Sequence, residues 1–150
     1  MSERLRLVFI FTAAWWKTPA EFGIYVNDEC LERANVPGKL LDPVKKIYGP
    51  MVNYGWNELK LRLESKTADD ILKDSSGAIT RNKYIELKKI IINDVGYEQA
   101  ELLRLGGCWY KDSDAVTPIK NCLIHEAGTF VFRFKSPFAY WALQNLKTEF

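Results

Sequence analysis

The chain has 150 residues, 21 Lys and Arg against 19 Asp and Glu, one His, three Cys and 47% apolar residues. That length suits a single domain, residues 1–150, able to bury roughly 68–70% of the surface its unfolded chain exposes. The net charge of +2 and ordinary apolar content argue against wholesale disorder and give no clustered basic surface for nucleic acid, and the lone His excludes sites built from several imidazoles.

Arg4 and Arg6 precede a short apolar run, Leu7 to Ala14, that superficially resembles a secretory leader. Glu3 stands among the basic residues, however, and Trp15-Trp16-Lys17 follows where small residues would mark cleavage. Leu5, Leu7, Phe9 and Phe11 share one parity, so the run reads as a buried strand and no signal peptide is expected. No segment approaches the roughly 18 apolar residues of a membrane span. Adjacent residues in extended chain face opposite ways, which leaves Trp16 a candidate stacking platform if Trp15 packs inward.

Phe22, Ile24 and Val26 alternate with Gly23 and Tyr25, and Asn27-Asp28 supplies a turn. Asp42-Pro43 reads as a weak helix start before Val44-Lys45-Lys46-Ile47. Glu58 to Glu64 alternates without error, three leucines on one side and four charged residues on the other, as an antiparallel strand with one wet face requires. Asp69, Asp70 and Asp74, joined by Asp28 or Asp94 from another loop, could gather oxygen ligands for Ca²⁺, although their spacing misses the EF-hand pattern. The alternative is a solvated acidic turn between two strands.

Tyr84 to Ile92 carries the β-branched run Ile90-Ile91-Ile92 and reads as a strand; its apolar parity switches near Lys88-Lys89, which requires a bulge. Trp109-Tyr110 falls in a polar stretch with Lys111, Asp112, Ser113 and Asp114, read as a loop whose aromatic pair is the better binding candidate; core packing or a subunit contact is the competing account. His125-Glu126 are neighbours that face apart on a strand, and Cys122 lies three residues away, so neither makes a catalytic pair with His125. With no motif naming a reaction, the chain is read as non-catalytic. The odd cysteine count (Cys30, Cys108, Cys122) suits buried free thiols in a reducing compartment. Phe130, Phe132 and Phe134 alternate with Val131 and Arg133, and Ser136-Pro137 then opens a short C-terminal helix as N-cap and first helical residue. The whole pattern predicts an all-β, jelly-roll-like antiparallel β-sandwich with that short helix.

Three resemblances bear on function. Gly55-Trp56-Asn57-Glu58-Leu59-Lys60-Leu61, the loop through Asp69-Asp70 and Asp74-Ser75-Ser76-Gly77, and Asn82-Lys83-Tyr84-Ile85-Glu86-Leu87 resemble jelly-roll carbohydrate-binding modules of the xylan-binding type. Phe22-Gly23-Ile24-Tyr25-Val26-Asn27-Asp28 is similar to a strand and turn of the same modules. Such modules often hold calcium; here Arg81-Asn82 stands where an aspartate would strengthen that expectation. Phe130 to Leu146, with Ser136-Pro137-Phe138 leading into a Trp- and Leu-bearing helix, resembles the closing segment of small β-sandwich proteins of tailed-bacteriophage virions.

That last likeness implies a structural subunit of a tail, baseplate, fibre or capsid decoration. It would be made in the host cytoplasm and would work through interfaces with other virion proteins or copies of itself. The first likeness implies, as the alternative, a carbohydrate-binding module for surface glycans, calcium-assisted or not, with Trp109, Tyr110 and Trp16 as platforms. Gly128 to Phe134 also resembles the RNP1 strand of an RRM, a single-stranded nucleic-acid reader, although Ala127 replaces the basic residue expected before Gly128.

Overall fold

The computed structural model describes residues 1–146. In chain order its strands are β1 (Ser2–Arg4), β2 (Leu7–Ala14), β3 (Glu21–Val26), β4 (Glu29–Asn35), β5 (Val44–Tyr48), β6 (Met51–Asn53), β7 (Gly55–Leu63), β8 (Leu72–Lys73), β9 (Ile79–Arg81), β10 (Tyr84–Ile92), β11 (Val95–Glu98), β12 (Cys108–Lys111), β13 (Asp114–Ile119), β14 (Leu123–Ile124) and β15 (Gly128–Ser136). Two short helices, α1 (Gln99–Arg104) and α2 (Phe138–Gln144), and one 3-10 turn (Ala68–Asp70) complete it.

The strands build an antiparallel β-sandwich. One sheet runs β11-β10-β2-β5 with β14 added beside β10; the other runs β13-β12-β15-β7-β3-β4. Alternation decides which side chains enter the space between them. Leu59, Leu61 and Leu63 of β7 and Phe130, Phe132 and Phe134 of β15 are buried, while the residues between them face outward. Phe11 of one sheet meets Phe22 of the other with ring centroids 5.2 Å apart, and Tyr97 meets Phe132 at 5.6 Å. Phe138 and Trp141 of α2 close one end of the sandwich over Tyr97 and Phe134.

The bulge required in β10 is present. Leu87 pairs with Phe11 and Lys89 with the adjacent Ile10, so Lys88 is the extra residue. That one insertion lets Leu87 and Ile90 both point inward, three positions apart. The turn at Asn27-Asp28 also stands where expected, with Asn27 at φ 54.

Three expectations are corrected, and one element is new. Val44 to Ile47 is not a helix start but part of strand β5, because Val44 and Ile47 suit a ladder against the apolar β2 better than an isolated turn of helix. Trp109-Tyr110 lies in strand β12, between β13 and β15, not in a loop. Helix α1 has no counterpart in the sequence reading. At the C-terminal helix, Ser136 still belongs to β15 and Pro137 takes the cap position. Proline offers no acceptor side chain, and the first helical amide, of Phe138, donates instead to the Glu3 carboxylate at 3.0 Å.

The RRM resemblance also fails on topology. An RRM exposes its RNP1 aromatics on an open four-stranded sheet. Here Phe130, Phe132 and Phe134 are 1%, 0% and 0% exposed, facing the sandwich core, so no base can stack on them. An RRM also pairs its RNP1 strand with a second aromatic-bearing strand; the apolar run of β2, which would have to take that part, lies in the opposite sheet.

A candidate ligand-binding groove on the six-stranded sheet

The same alternation that fills the core arrays polar and aromatic side chains on the outer face of β12-β15-β7-β3. Register sets their rows. Cys108, Val131, Lys60 and Tyr25 stand side by side across the four strands, as do Tyr110, Thr129, Arg62 and Gly23; Arg133 sits beside Glu58, and Lys135 beside Trp56. Two confluent depressions cover this face, of about 620 Å³ and about 500 Å³, sharing Asn27, Glu58, Tyr110 and Val131. Leu105, Gly106, Trp141 and Asn145 from the helical segments wall the larger one. Lys111, Asp112 and Ala115, at the β12–β13 connection, wall the smaller.

Ion pairs hold much of the floor in place. Arg62 grips Asp112 with two parallel bonds of 2.9 Å and donates to Thr129 at 2.6 Å. The Asp112 bonds push the Arg62 guanidinium above its ordinary value. Glu64 accepts the Tyr25 hydroxyl proton at 2.7 Å, and burial together with that carboxylate pushes the Tyr25 phenol up to about 12. Glu58 faces Arg133 at 3.3 Å and Lys60 at 3.8 Å. The neighbouring Cys108 thiol raises the Tyr110 phenol. At the rim, Trp56 is 64% exposed, with the Lys135 ammonium 5.4 Å from its ring centroid. Asn27, held by Asn57 at 3.0 Å, accepts the Glu58 amide and fixes the β3–β4 turn against β7.

Of the aromatic residues singled out in the sequence, only Tyr110 lies here. Trp109 is fully buried; its indole nitrogen donates to Asn121 Oδ1 at 2.9 Å, and its ring meets His125 edge-on at 5.1 Å. It is a core residue because it shares parity with its cross-strand partner Phe130. Trp16 lines a separate depression of about 250 Å³ with Trp15, Leu40, Ile79, Arg81 and Tyr84, and shares no residue with the groove.

Asp69, Asp70 and Asp74 are not gathered around one point. Asp70 is buried against Lys83 at 3.1 Å and accepts the Thr67 amide at 2.8 Å. Burial alone would raise its carboxyl, but Thr67 and Lys83 together bring it below the usual range. Asp74 is taken up by its own turn, accepting from the Ser76 and Ala78 amides. Asp69 faces solvent, Asp28 lies near Lys60, and Asp94 pairs with Arg6. Among the described residues no three His, Cys, Asp or Glu side chains are grouped to hold a metal. Cys122 is buried, its thiol pushed up to about 11 by desolvation, which suits an inert core thiol rather than a nucleophile.

Neither Trp56 nor Arg133 was singled out as a binding residue in the sequence. Alternation put Arg133 opposite the phenylalanines of its strand, but it was read only from Glu58 onward in β7 and left Trp56 unassigned, and nothing local showed that β7 and β15 are neighbours.

Comparison with known proteins bears on the fold. No protein-family model matches the chain, and no curated protein matches its sequence. Two solved structures do. One, described as vCBM60 in complex with galactobiose, aligns over 85% of this chain and 96% of its own at 8% identity and TM-score 0.49. The other is a selenomethionine form of vCBM60, from a study linking two families of calcium-dependent carbohydrate-binding modules by circular permutation. It covers 85% of this chain and 89% of its own at 6% identity and TM-score 0.52. The likeness to this second structure is one of fold.

Proposed function

We propose that the chain is a non-catalytic carbohydrate-binding module whose ligand lies across the outer face of the six-stranded sheet. The observation that carries this reading is the groove itself. An exposed indole, Trp56, stands at its rim and a tyrosine, Tyr110, on its floor, among closely spaced hydrogen-bonding side chains. Sugar rings present apolar C–H faces and a belt of hydroxyls, and flat aromatic surfaces beside charged donors and acceptors match both. The fold shared with a vCBM60 structure supports the reading. The groove carboxylates Glu58 and Asp112 each lie against cations, an arrangement suited to binding rather than to proton transfer. No comparison speaks for a virion component, and glycan binding takes its place as the first reading.

A glycan array probed with the purified chain tests this, followed by titration calorimetry on the hits. Binding that is lost in Trp56→Ala and Tyr110→Ala but kept in Trp16→Ala is the expected result. An array without hits, or affinity that survives both groove substitutions, overturns the proposal.

A further inference from the structure

Two arginines project from the floor of the groove, and their guanidinium groups are in opposite states. The Arg62 fork is filled by Asp112, with Thr129 taking a further bond. Arg133 has only Glu58, which reaches its Nε at 3.3 Å and is shared with Lys60. Among the described residues no other side chain accepts from Arg133, so its terminal nitrogens point to no protein partner. The side chain is 65% exposed and lines the larger depression beside Trp56 and Tyr110. Lys135, on the same face of β15, rests over the Trp56 ring instead of pairing with a carboxylate. This end of the groove therefore sets Arg133 and Lys135 beside an exposed indole, with Glu58 the acid shared between Arg133 and Lys60.

We infer that the groove selects an anionic saccharide, the open fork of Arg133 taking the carboxylate of a uronate-type sugar whose ring lies against Trp56. This rests on the glycan-binding reading and adds the charge of the ligand to it. A guanidinium presents two parallel N–H donors matched to a carboxylate, and charge-assisted bonds of this kind are about twice as strong as neutral ones. A neutral sugar would leave the fork to water and gain no such preference.

The test is calorimetry with trigalacturonate, with the neutral galactotriose of matching stereochemistry, and with a sulfated chondroitin oligosaccharide, on wild type, Arg133→Gln and Arg133→Lys at low and high salt. Arg133 is exposed, so unchanged melting temperatures should accompany both substitutions. Trigalacturonate is expected to bind about tenfold or more tighter than galactotriose in wild type, with the preference shrinking to about twofold in Arg133→Gln and only partly kept in Arg133→Lys. High salt should weaken the acid and not the neutral sugar. Equal or better binding of galactotriose overturns the inference and leaves the glycan reading standing, as does a positive array from which all three probes are absent. A preference that survives Arg133→Gln overturns the role of Arg133. Stronger binding of the sulfated sugar overturns the carboxylate. Failure of all three probes together with an empty array overturns both readings.

Discussion

Tyr25 and Glu64, 39 residues apart in the chain, meet above Gly23, the phenol donating to Glu64 Oε1 at 2.7 Å. The contact depends on the glycine between them: a Cβ at Gly23 would stand 2.0 Å from that oxygen and 2.6 Å from Tyr25 Cε2. Arg33 and Arg62 also reach the same carboxylate, at 3.7 Å and 3.4 Å. Gly23→Ala therefore evicts a Glu64 side chain that is only 5% exposed. A loss of about 1–3 kcal/mol in chemical denaturation is expected, from overpacking and the broken hydrogen bond. A variant as stable as wild type would show that the carboxylate relocates freely.

The same pair sets an alkaline limit on stability. Tyr25 holds its proton up to about 12 and Cys122 up to about 11, against ordinary values of 10.0 and 9.0. Across that interval the folded chain binds more protons than the unfolded one, so stability falls as pH rises from about 9 to 12 and is unaffected by these groups below it. Glu64→Gln should lower the Tyr25 titration while leaving it above 10.0, since burial, the larger cause, persists. Ultraviolet absorbance of the phenolate reads this directly; an unmoved midpoint would remove Glu64 from the account.

A second buried pair governs the acid side. Lys83 and Asp70 lie 3.1 Å apart with side chains 6% and 10% exposed, and Lys83 also donates to Thr18 at 3.0 Å. Lys83→Met strands the Asp70 charge and is expected to cost about 3–5 kcal/mol, much of it regained when Asp70→Leu is added. Because the folded Asp70 carboxyl lies below its ordinary value of 3.8, its contribution is present above about pH 4 and lost as pH falls further. A double variant no more stable than Lys83→Met alone would contradict this.

Trp56 and Trp109 should separate binding from folding. Trp56→Ala removes an exposed indole, so the melting temperature should hardly move, a change within about 0.5 kcal/mol, while glycan affinity is lost. Trp109→Ala empties a fully buried site and should cost about 3–5 kcal/mol. Thermal melts alongside calorimetry distinguish the two; a Trp109 variant that melts normally would place its indole outside the core.

Calcium removal offers a further check. With Asp70 committed to Lys83 and Asp74 to its own turn, EGTA should change neither the melting temperature nor glycan affinity. A drop in either would require a cation site built from residues other than these three aspartates.

Period-two alternation by itself determined the sandwich. In Leu7 to Phe11, Glu58 to Glu64 and Thr129 to Phe134 it told each side chain which face to take, and in Tyr84 to Ile92 the break in parity required a bulge near Lys88-Lys89, which the register puts at Lys88. It succeeds because a strand's side-chain direction is a local property of its backbone. Which strands lie next to one another is not local. Val44-Ile47 became a strand only because β2 offers it a ladder, and Trp109 became core only because β15 lies beside it. The acidic residues, close in sequence, were drawn apart by Lys83 and by a tight turn, while Trp56 and Arg133, 77 positions apart in the chain, were brought to one groove. Alternation assigned Arg133 a face; the register of β7 against β15, which long-range packing alone decides, put Trp56 and Arg133 in one groove.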